Sequence, residues 1–363
     1  MSTRFITDTA ALTCYDSRHR LWQGIPSVEV TAGGRLFATL YSGGNTEENG
    51  NFSVLLSSTD DGATWSEPIA AVDVGTEERA YDSCLWIDPL GRLWYIWAVM
   101  PNNRIEYALC DRPDEDPLCW SEIRTLPGDV MLNKPIVHSD GAWLFPTAVW
   151  KDRLTTGSAG GSDGTKPSGA HVYASKDCGL TFTHRGTVVA RERWFDEHML
   201  LTKNNGDLEM YIRTTYGIGK AVSHDGGRTF DPDTDSMLGG PNSRFYVGRL
   251  SSGNILVVNH YQFHKRDHLT AMISRDEGQT FEGFLLLDER ADVSYPDVKE
   301  HNGYLYVIYD RERGAHYRPD RDYSTAAREI LLAKITEDDI LAGKVISSRS
   351  FLKKIVSKLT PMA

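Results

Sequence analysis

One short motif recurs along the chain and constrains its fold more than any other feature. The pattern Ser-x-Asp-x-Gly-x-Thr-aromatic is present four times, at residues 58–65, 175–182, 223–230 and 274–281. In such a pattern the Asp carboxylate can accept backbone hydrogen bonds within a tight turn, the Gly tolerates a positive φ, and the Thr and aromatic residue favour the start of a strand. The motif therefore predicts a repeated turn between two strands, and we interpret its aspartates as structural and not catalytic.

The spacing of the copies indicates the size of the repeat. They begin at residues 58, 175, 223 and 274, so the intervals between them are 117, 48 and 51 residues. Because the first interval is about twice the others, a degenerate copy is expected near residue 116, where residues 120–122 (W-S-E) repeat residues 65–67. The stretch 300–345 has room for a sixth copy. Repeats of roughly 50 residues are typical of four-stranded propeller blades.

Short strand-like segments lie between the copies, most of them after a glycine turn. They are rich in aromatic and β-branched residues and comprise residues 35–41, 92–97, 208–213, 254–258 and 304–309. Helix signals are scarce: residues 336–342 begin with a capping Thr, and residues 350–359 are expected to form a terminal helix or strand on the last repeat. The sequence thus predicts an all-β fold, a six-bladed β-propeller of four-stranded antiparallel blades, with residues 1–363 as a single domain.

Composition and charge exclude several classes of protein. The net charge of −11 at pH 7 disfavours non-specific binding to nucleic acid or to anionic membranes. No apolar stretch approaches the roughly 18 residues of a transmembrane helix, and no secretory signal is visible, so a cytoplasmic protein is expected, or a secreted one if a leader has been removed from the sequence. Five cysteines without a CxxC pair argue against a disulfide framework or a zinc site. We expect no cofactor and no catalytic metal, while a structural calcium ion and the oligomeric state stay open.

The repeated motif resembles the Asp box of the sialidase superfamily, whose members are six-bladed propellers. Asp boxes also occur in other propellers, so a functional resemblance must rest on residues elsewhere in the chain. Sialidases hold the substrate carboxylate with three arginines, and they use a Tyr nucleophile with a Glu partner and an Asp acid/base. The Tyr nucleophile sets them apart from most glycosidases.

Three segments resemble that site. Residues 294–298 (S-Y-P-D-V) are similar to the nucleophile stretch, which implies that Tyr295 is the nucleophile. The hairpin starting at residue 196 is similar to one in which a Glu begins the first strand and an Arg ends the second, which implies Glu197 as the base and Arg213 as a carboxylate ligand. Arg266 resembles a second carboxylate ligand. A neutral phenol avoids repulsion between nucleophile and substrate carboxylate, and arginine favours bidentate binding of that carboxylate.

Two positions depart from the family pattern. Gly24 stands where sialidases have the first arginine of the triad, and Asp310 replaces the Glu that supports that arginine. The acid/base position falls on Glu48 in a Gly-rich loop, with Glu47 as an equal neighbour. Because both departures concern one contact, a related keto-acid or uronic-acid sugar is nearly as well supported as sialic acid.

Further polar residues are candidates for substrate contact because they enter predicted strands or flank the residues above; they are Asp82, Lys134, His198, His268, Arg244 and Asp310. The two histidines lie beside Glu197 and close to Arg266 in the sequence. Each of them could act as an acid or a base near neutral pH.

These patterns predict an exo-acting glycoside hydrolase that resembles sialidases and removes a terminal acidic sugar from a glycoconjugate or oligosaccharide. A second hypothesis is a rhamnosidase or uronate lyase that depends on His198 or His268 and not on Tyr295. A third is a carbohydrate-binding propeller without catalysis. All three imply a carbohydrate partner, anionic in the first, and neither a nucleic acid nor a membrane.

Overall fold

Six antiparallel sheets form a ring of blades in the computed structural model, which describes residues 3–150, 167–314 and 326–359. In each blade the strands follow one another in chain order, and around the axis the innermost strands of blades two, one, six, five and four contact one another in succession. This arrangement confirms the predicted six-bladed propeller of four-stranded blades. The first blade differs because a short additional strand, β1, pairs with the outermost strand of its sheet.

Blade one contains β1 (Arg4–Ile6), β2 (Trp22–Val30), β3 (Leu36–Gly43), β4 (Phe52–Ser58) and β5 (Ala70–Asp73). Blade two contains β6 (Arg79–Ile87), β7 (Leu93–Met100), β8 (Arg104–Cys110) and β9 (Arg124–Leu126). Blade three contains β10 (Ile136–Val137), β11 (Trp143–Val149), β12 (Gly169–Ser175) and β13 (Thr183–Val188). Blade four contains β14 (Arg193–Thr202), β15 (Leu208–Thr214), β16 (Gly217–Ser223) and β17 (Thr234–Asp235).

Blade five contains β18 (Tyr246–Arg249), β19 (Ile255–Asn259), β20 (Leu269–Ser274) and β21 (Glu282–Asp288). Blade six contains β22 (Val293–His301), β23 (Tyr304–Arg311), β24 (Glu329–Ile335) and β25 (Phe351–Lys358), so the expected terminal segment is a strand. The helices of the described residues are short: α1 (Thr9–Leu12), α2 (Glu337–Leu341) and two 3-10 turns at Thr13–Tyr15 and Ser17–His19. None of these helices combines the length and apolarity needed to span a membrane.

The apolar core is divided among the interfaces between blades. Each of six clusters of buried side chains joins two neighbouring sheets, and a seventh lies at the axis. Both faces of a blade are therefore covered, which explains why β3 and β7 are buried along their whole length and why β7 is a continuous apolar run. The five cysteines, all within the described segments, are free thiols.

The four predicted turns connect the third strand to the fourth in blades one, three, four and five. In blade five, Asp276 Oδ1 accepts hydrogen bonds from Ser274 Oγ and from the Thr280 amide, both at 2.8 Å, and Asp276 Oδ2 accepts one from Thr280 Oγ1 at 2.6 Å. The same bonds form around Asp225. The aromatic residue that ends each copy packs on the interface with the preceding blade, as Phe281 does.

The two expected degenerate copies differ from each other. In blade two, Trp120 occupies the position of the motif aromatic, pairs with Cys110 and packs on the interface with blade one. In blade six the turn is replaced by helix α2, which Thr336 caps. Asp339 there accepts bonds from the amides of Ile346 and Ser347, so a carboxylate again organises the turn from a different local geometry.

The ring closes at a seam, the contact between blades one and six. Across it, Gln23 Nε2 donates hydrogen bonds to the carbonyl oxygens of Arg328, at 2.7 Å, and Ser357, at 3.2 Å. Arg20 Nη2 donates to Ser357 Oγ at 3.2 Å. An apolar cluster that includes Val28 joins the two blades beneath these bonds. Side-chain packing and buried polar contacts therefore close the ring, since no strand of one blade joins the sheet of the other within the described residues.

Replacing Asp276 with Asn is expected to lower Tm at pH 7 by about 2–4 °C, because the turn loses a charged acceptor. Hydrogen bonds from Thr280 and Ser274 lower the pKa of Asp276 to about 2. A lowered pKa stabilises the fold above the ordinary value near 3.8 and ceases to do so as the pH falls to about 2. Thermal unfolding followed by circular dichroism at pH 7 and pH 3 measures both effects.

The control is Glu282→Gln in the same blade. Glu282 forms an exposed ion pair with Arg275 at 3.1 Å, and exposed pairs contribute little to stability. An Asp276→Asn variant that unfolds at the same temperature as this control at pH 7 would contradict the structural role of the motif.

Candidate functional site

A cavity of about 530 Å³ lies at the end of the propeller where the innermost strands begin. Its lining includes Tyr295, Glu197, Arg213, Arg266 and Asp82 from the sequence predictions. These residues come from blades two, four, five and six, and so the ring, rather than any one blade, assembles the cavity.

The same backbone irregularity, a bulge near the start of an innermost strand, directs a side chain into this cavity in four blades. The innermost strands of blades one, two, four and six each have a register shift near their start, and a residue beside it has a positive φ. These residues are Ile25 (54°), Asp82 (47°), Glu197 (37°) and Tyr295 (57°), and all four line the cavity. A bulge with a left-handed residue redirects a side chain out of the regular alternation of a strand, at a cost in backbone strain.

Tyr295, Glu197 and Arg213 form a closed triangle of hydrogen bonds. Tyr295 Oη donates to Glu197 Oε1 at 3.0 Å, and Arg213 Nη1 donates to Glu197 Oε1 at 2.7 Å and to Tyr295 Oη at 3.0 Å. All three residues are at least nine-tenths buried. Burial and the adjacent Glu197 carboxylate raise the pKa of Tyr295 to about 12, so it is a phenol at neutral pH. Its proton has an immediate acceptor in Glu197.

Two arginines that line the cavity lack a hydrogen-bonded or ion-paired partner in the part of the chain that the structure describes. Among the described residues, neither Arg266 nor Arg79 makes a side-chain hydrogen bond or an ion pair, although Arg266 lies 5.3 Å above the Tyr295 ring. Burial, together with Arg313 and Arg213, lowers the pKa of Arg266 from its ordinary value. An anionic ligand would relieve the repulsion among these cations. Arg79 was not identified from the sequence.

Arg313 is a second cavity arginine that sequence reasoning missed. Its Nε donates to Asp310 Oδ2 at 3.1 Å, its Nη1 pairs with Glu47, and its guanidinium lies 4.6 Å from the centre of the Tyr295 ring. Asp310 also accepts hydrogen bonds from the Ile25 amide at 2.9 Å. Asp310 therefore supports an arginine, as the family resemblance implies for its position, but that arginine follows it by three residues in the sequence.

Two of the other carboxyl groups that line the cavity, Asp82 and Glu47, are in different protonation states. Burial, followed by the charges of Glu197 and Glu47, raises the pKa of Asp82 to about 8, so this group is largely protonated at neutral pH. Burial also acts on Glu47, but Arg313 and Arg79 bring its pKa below the ordinary value. Among the described residues, no cluster of three or more His, Cys, Asp or Glu side chains is placed to hold a metal ion.

Glu48, the expected acid, does not line the cavity. It is exposed, and its Oε1 accepts a hydrogen bond from the Asn45 amide at 2.8 Å. Glu47, its equal alternative in the sequence, points inward and lines the cavity instead. The local fold of the Gly-rich loop thus separates the two neighbours.

Lys134 and Arg244 lie outside the cavity, in contrast to their assignment from the sequence. Lys134 Nζ binds the carbonyl oxygens of Val28 and Leu85 at 2.7 and 2.8 Å and lines a separate cavity of about 440 Å³ where the innermost strands end. Arg244 has no exposed surface, and its Nε donates to Asn133 Oδ1 at 2.7 Å. Both cations satisfy buried backbone and side-chain acceptors around the axis and are structural in this position.

The two candidate histidines are not brought to the cavity either. His198 is buried, its Nε2 lies 2.9 Å from the His171 carbonyl oxygen, and burial lowers its pKa to about 3. His268 stacks on Phe263 with ring centres 4.1 Å apart, in an open apolar groove on blade five. Neither ring lines the cavity that holds Tyr295, so this geometry gives no support to a histidine-dependent site there.

Several solved structures share this architecture. A protein of unknown function from Dyadobacter fermentans matches with a TM-score of 0.62 and 18% identity, covering 80% of this chain and 90% of that one. The Hadza microbial sialidase Hz136 matches with a TM-score of 0.63 and 19% identity, covering 81% of this chain and 64% of that one. The NanB sialidase of Streptococcus pneumoniae matches with a TM-score of 0.63 and 12% identity, covering 82% of this chain and 66% of that one. The chain thus spans about two thirds of the length of these two sialidases, and the identities establish a shared fold.

Comparison with curated protein sequences finds no significant match. A family model does match, namely that of the BNR repeat-like domain, over residues 34–307. The matched region contains all four copies of the turn motif and extends from just before β3 in blade one into β23, the second strand of blade six. The chain therefore belongs to the BNR repeat-like domain family, as a six-bladed propeller with a sialidase-like fold.

Proposed function

We propose that the protein is a glycoside hydrolase that removes a terminal acidic sugar and forms a covalent intermediate on Tyr295. The observation that carries this proposal is the buried triangle of Tyr295, Glu197 and Arg213, next to Arg266 and Arg79, which make no side-chain hydrogen bond or ion pair with any described residue. A phenol hydrogen-bonded to a carboxylate is an activated nucleophile of the kind that covalent catalysis requires. The resemblance to sialidases and the sialidase-like fold add support.

The first half of the reaction is assigned as follows. Arg266 and Arg79 bind the anionic group of the sugar and orient its anomeric carbon towards Tyr295. As Tyr295 Oη attacks this carbon, its proton passes to Glu197 Oε1, and the adjacent Arg213 stabilises the charge that develops on the phenol oxygen. The bond to the leaving group breaks, and its oxygen takes a proton from Asp82, the carboxyl that is protonated at neutral pH.

The second half reverses these transfers. Asp82, now a carboxylate, accepts a proton from water as the water oxygen attacks the anomeric carbon, and Glu197 returns its proton to the departing Tyr295. Two displacements at one carbon retain its configuration. The cavity volume of about 530 Å³ accommodates one sugar ring and the first atoms of its aglycone, which supports exo-acting cleavage.

The test is the release of 4-methylumbelliferone from its α-sialoside and its β-glucuronide by the wild-type protein. We expect turnover of at least one of these acidic glycosides and none of the matched neutral β-glucoside, because the cluster of cavity arginines favours an anionic sugar. Cleavage of an α-rhamnoside alone would favour the histidine-dependent hypothesis. Binding of N-acetylneuraminic acid without any turnover would identify a carbohydrate-binding propeller.

A further inference from the structure

The side chain of Arg313 fills the space in the cavity wall that a side chain at position 24 would otherwise occupy. A Cβ atom added to Gly24 would lie 1.8 Å from Cδ and 2.5 Å from Cγ of Arg313, closer than any two non-bonded carbons can approach. The backbone of Gly24 does not adopt the left-handed conformation that would by itself demand glycine. The only reason for a glycine that the described contacts reveal is therefore the arginine that lies against it.

Arg313 is held in this position from several sides. Its Nε donates to Asp310 Oδ2 at 3.1 Å, and the backbone carbonyl of Arg313 accepts a hydrogen bond from Trp22 Nε1 at 3.0 Å. Its guanidinium lies 6.0 Å from the Trp22 ring and 4.6 Å from the Tyr295 ring. Such a fixed, buried guanidinium beside a nucleophile loses little entropy when it binds an anion.

We infer that Arg313, supplied by blade six, replaces the arginine that blade one lacks at Gly24, and that it binds the anionic group of the substrate. This inference rests on the proposed function, whose arginine ligands it completes. The guanidinium reaches the cavity from the opposite side of the seam, through the space that the missing side chain leaves. Taken singly, Asp310 and Gly24 each depart from the family pattern. Together they accommodate one arginine that comes from blade six instead of blade one.

Glu47 is the group that Arg313 must exchange for a substrate. It pairs with Arg313 Nη1 and lies on the loop between β3 and β4. A carboxylate of the sugar can take its place on the guanidinium, whereas Asp310, which is fully buried and bonded to the Ile25 amide and to Ser294, remains behind it. Arg313 therefore keeps one fixed partner and offers its outer edge to the ligand.

Four proteins test the inference: wild type, Arg313→Ala, Gly24→Arg and the double variant Gly24→Arg/Arg313→Ala. Loss of a charged hydrogen-bond donor should lower kcat/KM of Arg313→Ala for the acidic glycoside by about 100-fold, mainly through KM. Gly24→Arg should be worse folded or inactive, because two side chains claim one volume. The double variant should recover at least about tenfold over Arg313→Ala, since its new arginine meets no obstacle.

Arg20→Ala is the matched control, because Arg20 is a buried arginine at the same seam and outside the cavity. It should lower Tm without a selective rise in KM. Equal kcat/KM of Arg313→Ala and wild type, or a double variant no better than Arg313→Ala although both melt like wild type, would overturn the inference.

Should the wild type cleave no acidic glycoside, the proposed function fails, and the same four proteins are compared by quenching of tryptophan fluorescence with N-acetylneuraminic acid. Weaker binding by Arg313→Ala and its recovery in the double variant would support the inference without catalysis. Absence of binding to the wild type would overturn it.

Discussion

Replacing Tyr295 with Phe is expected to lower kcat on acidic glycosides by at least about 1000-fold, because the nucleophilic oxygen is removed while its surroundings stay. The Phe ring retains the contacts with Arg266 and Arg313, whose guanidinium groups lie 5.3 and 4.6 Å from the ring centre. We therefore expect KM and Tm to change little. A fluorophore-release assay and thermal unfolding of the same preparation measure these quantities.

Tyr309→Phe is the control for this change. Tyr309 is also buried and donates a hydrogen bond to Asp288 Oδ2 at 3.1 Å, but it lies in the interface between blades five and six and not at the cavity. Its loss should cost stability and leave kcat within a few-fold of the wild type. Retention of more than a tenth of the wild-type kcat by Tyr295→Phe would exclude a covalent role for Tyr295.

Replacing Asp82 with Asn is expected to have the second largest effect, and one that depends on the leaving group. For an alkyl or sugar aglycone, which needs protonation as it departs, kcat/KM should fall by about 1000-fold. For a 4-nitrophenyl aglycone, which leaves without that help, the fall should be under about tenfold. Steady-state kinetics with a series of aglycones measures the dependence, and Glu47→Gln, a change at another carboxyl of the cavity, should not show it.

The raised pKa of Asp82 also predicts how stability and activity depend on pH. Burial, then Glu197 and Glu47, raise its pKa from 3.8 to about 8, so the folded protein holds this proton more tightly than the unfolded chain. The stabilising effect is complete at low pH and is lost as the pH rises through about 8. Wild-type activity should fall over the same range. The Tm of Asp82→Asn minus that of wild type should be larger at pH 9 than at pH 6. Leaving-group dependence in Glu47→Gln instead would assign the proton to Glu47.

The fold could be predicted from the sequence because its signal is repeated and local. Each turn motif forms its bonds within seven residues, as between Ser274 and Thr280, and so its geometry does not depend on the rest of the ring. No turn motif was found in blade six because a capped helix, α2, connects its third and fourth strands with other residues. The count of six still followed from the spacing of the copies.

The candidate site was predictable only in part. Tyr295 and Glu197 are 98 residues apart, and their contact was reachable through segments that resemble a known arrangement. Arg313 and Arg79 match no such segment, since Arg313 reaches the cavity through a vacancy that only three-dimensional packing reveals. Glu47 and Glu48 are adjacent in a loop without periodicity, so the sequence carries no signal for which of them turns inward.

Lys134 and Arg244 illustrate a different limit. Both lie near the axis, but an innermost strand places side chains at both ends of the ring and in the interior between them. Lys134 binds Glu29 and Asp297, each at 3.0 Å, and Arg244 lies between these ends. Proximity to the axis could be inferred from the strand pattern, whereas the height along the axis could not.

The seam gives the propeller an unusual link between integrity and chemistry. Two contacts of cavity residues cross it: the bond from the Ile25 amide to Asp310 and the pair between Arg313 and Glu47. The same side chains that line the cavity therefore also hold blade six to blade one. A ligand that takes the place of Glu47 on Arg313 would exchange one contact across the seam for contacts between Arg313 and the opposite blades, while the Asp310 bond to Ile25 stays. Opening of the ring at the seam would separate groups on the two sides of the cavity, and hydrogen exchange of β2 and β22 should therefore slow when a sugar acid is bound.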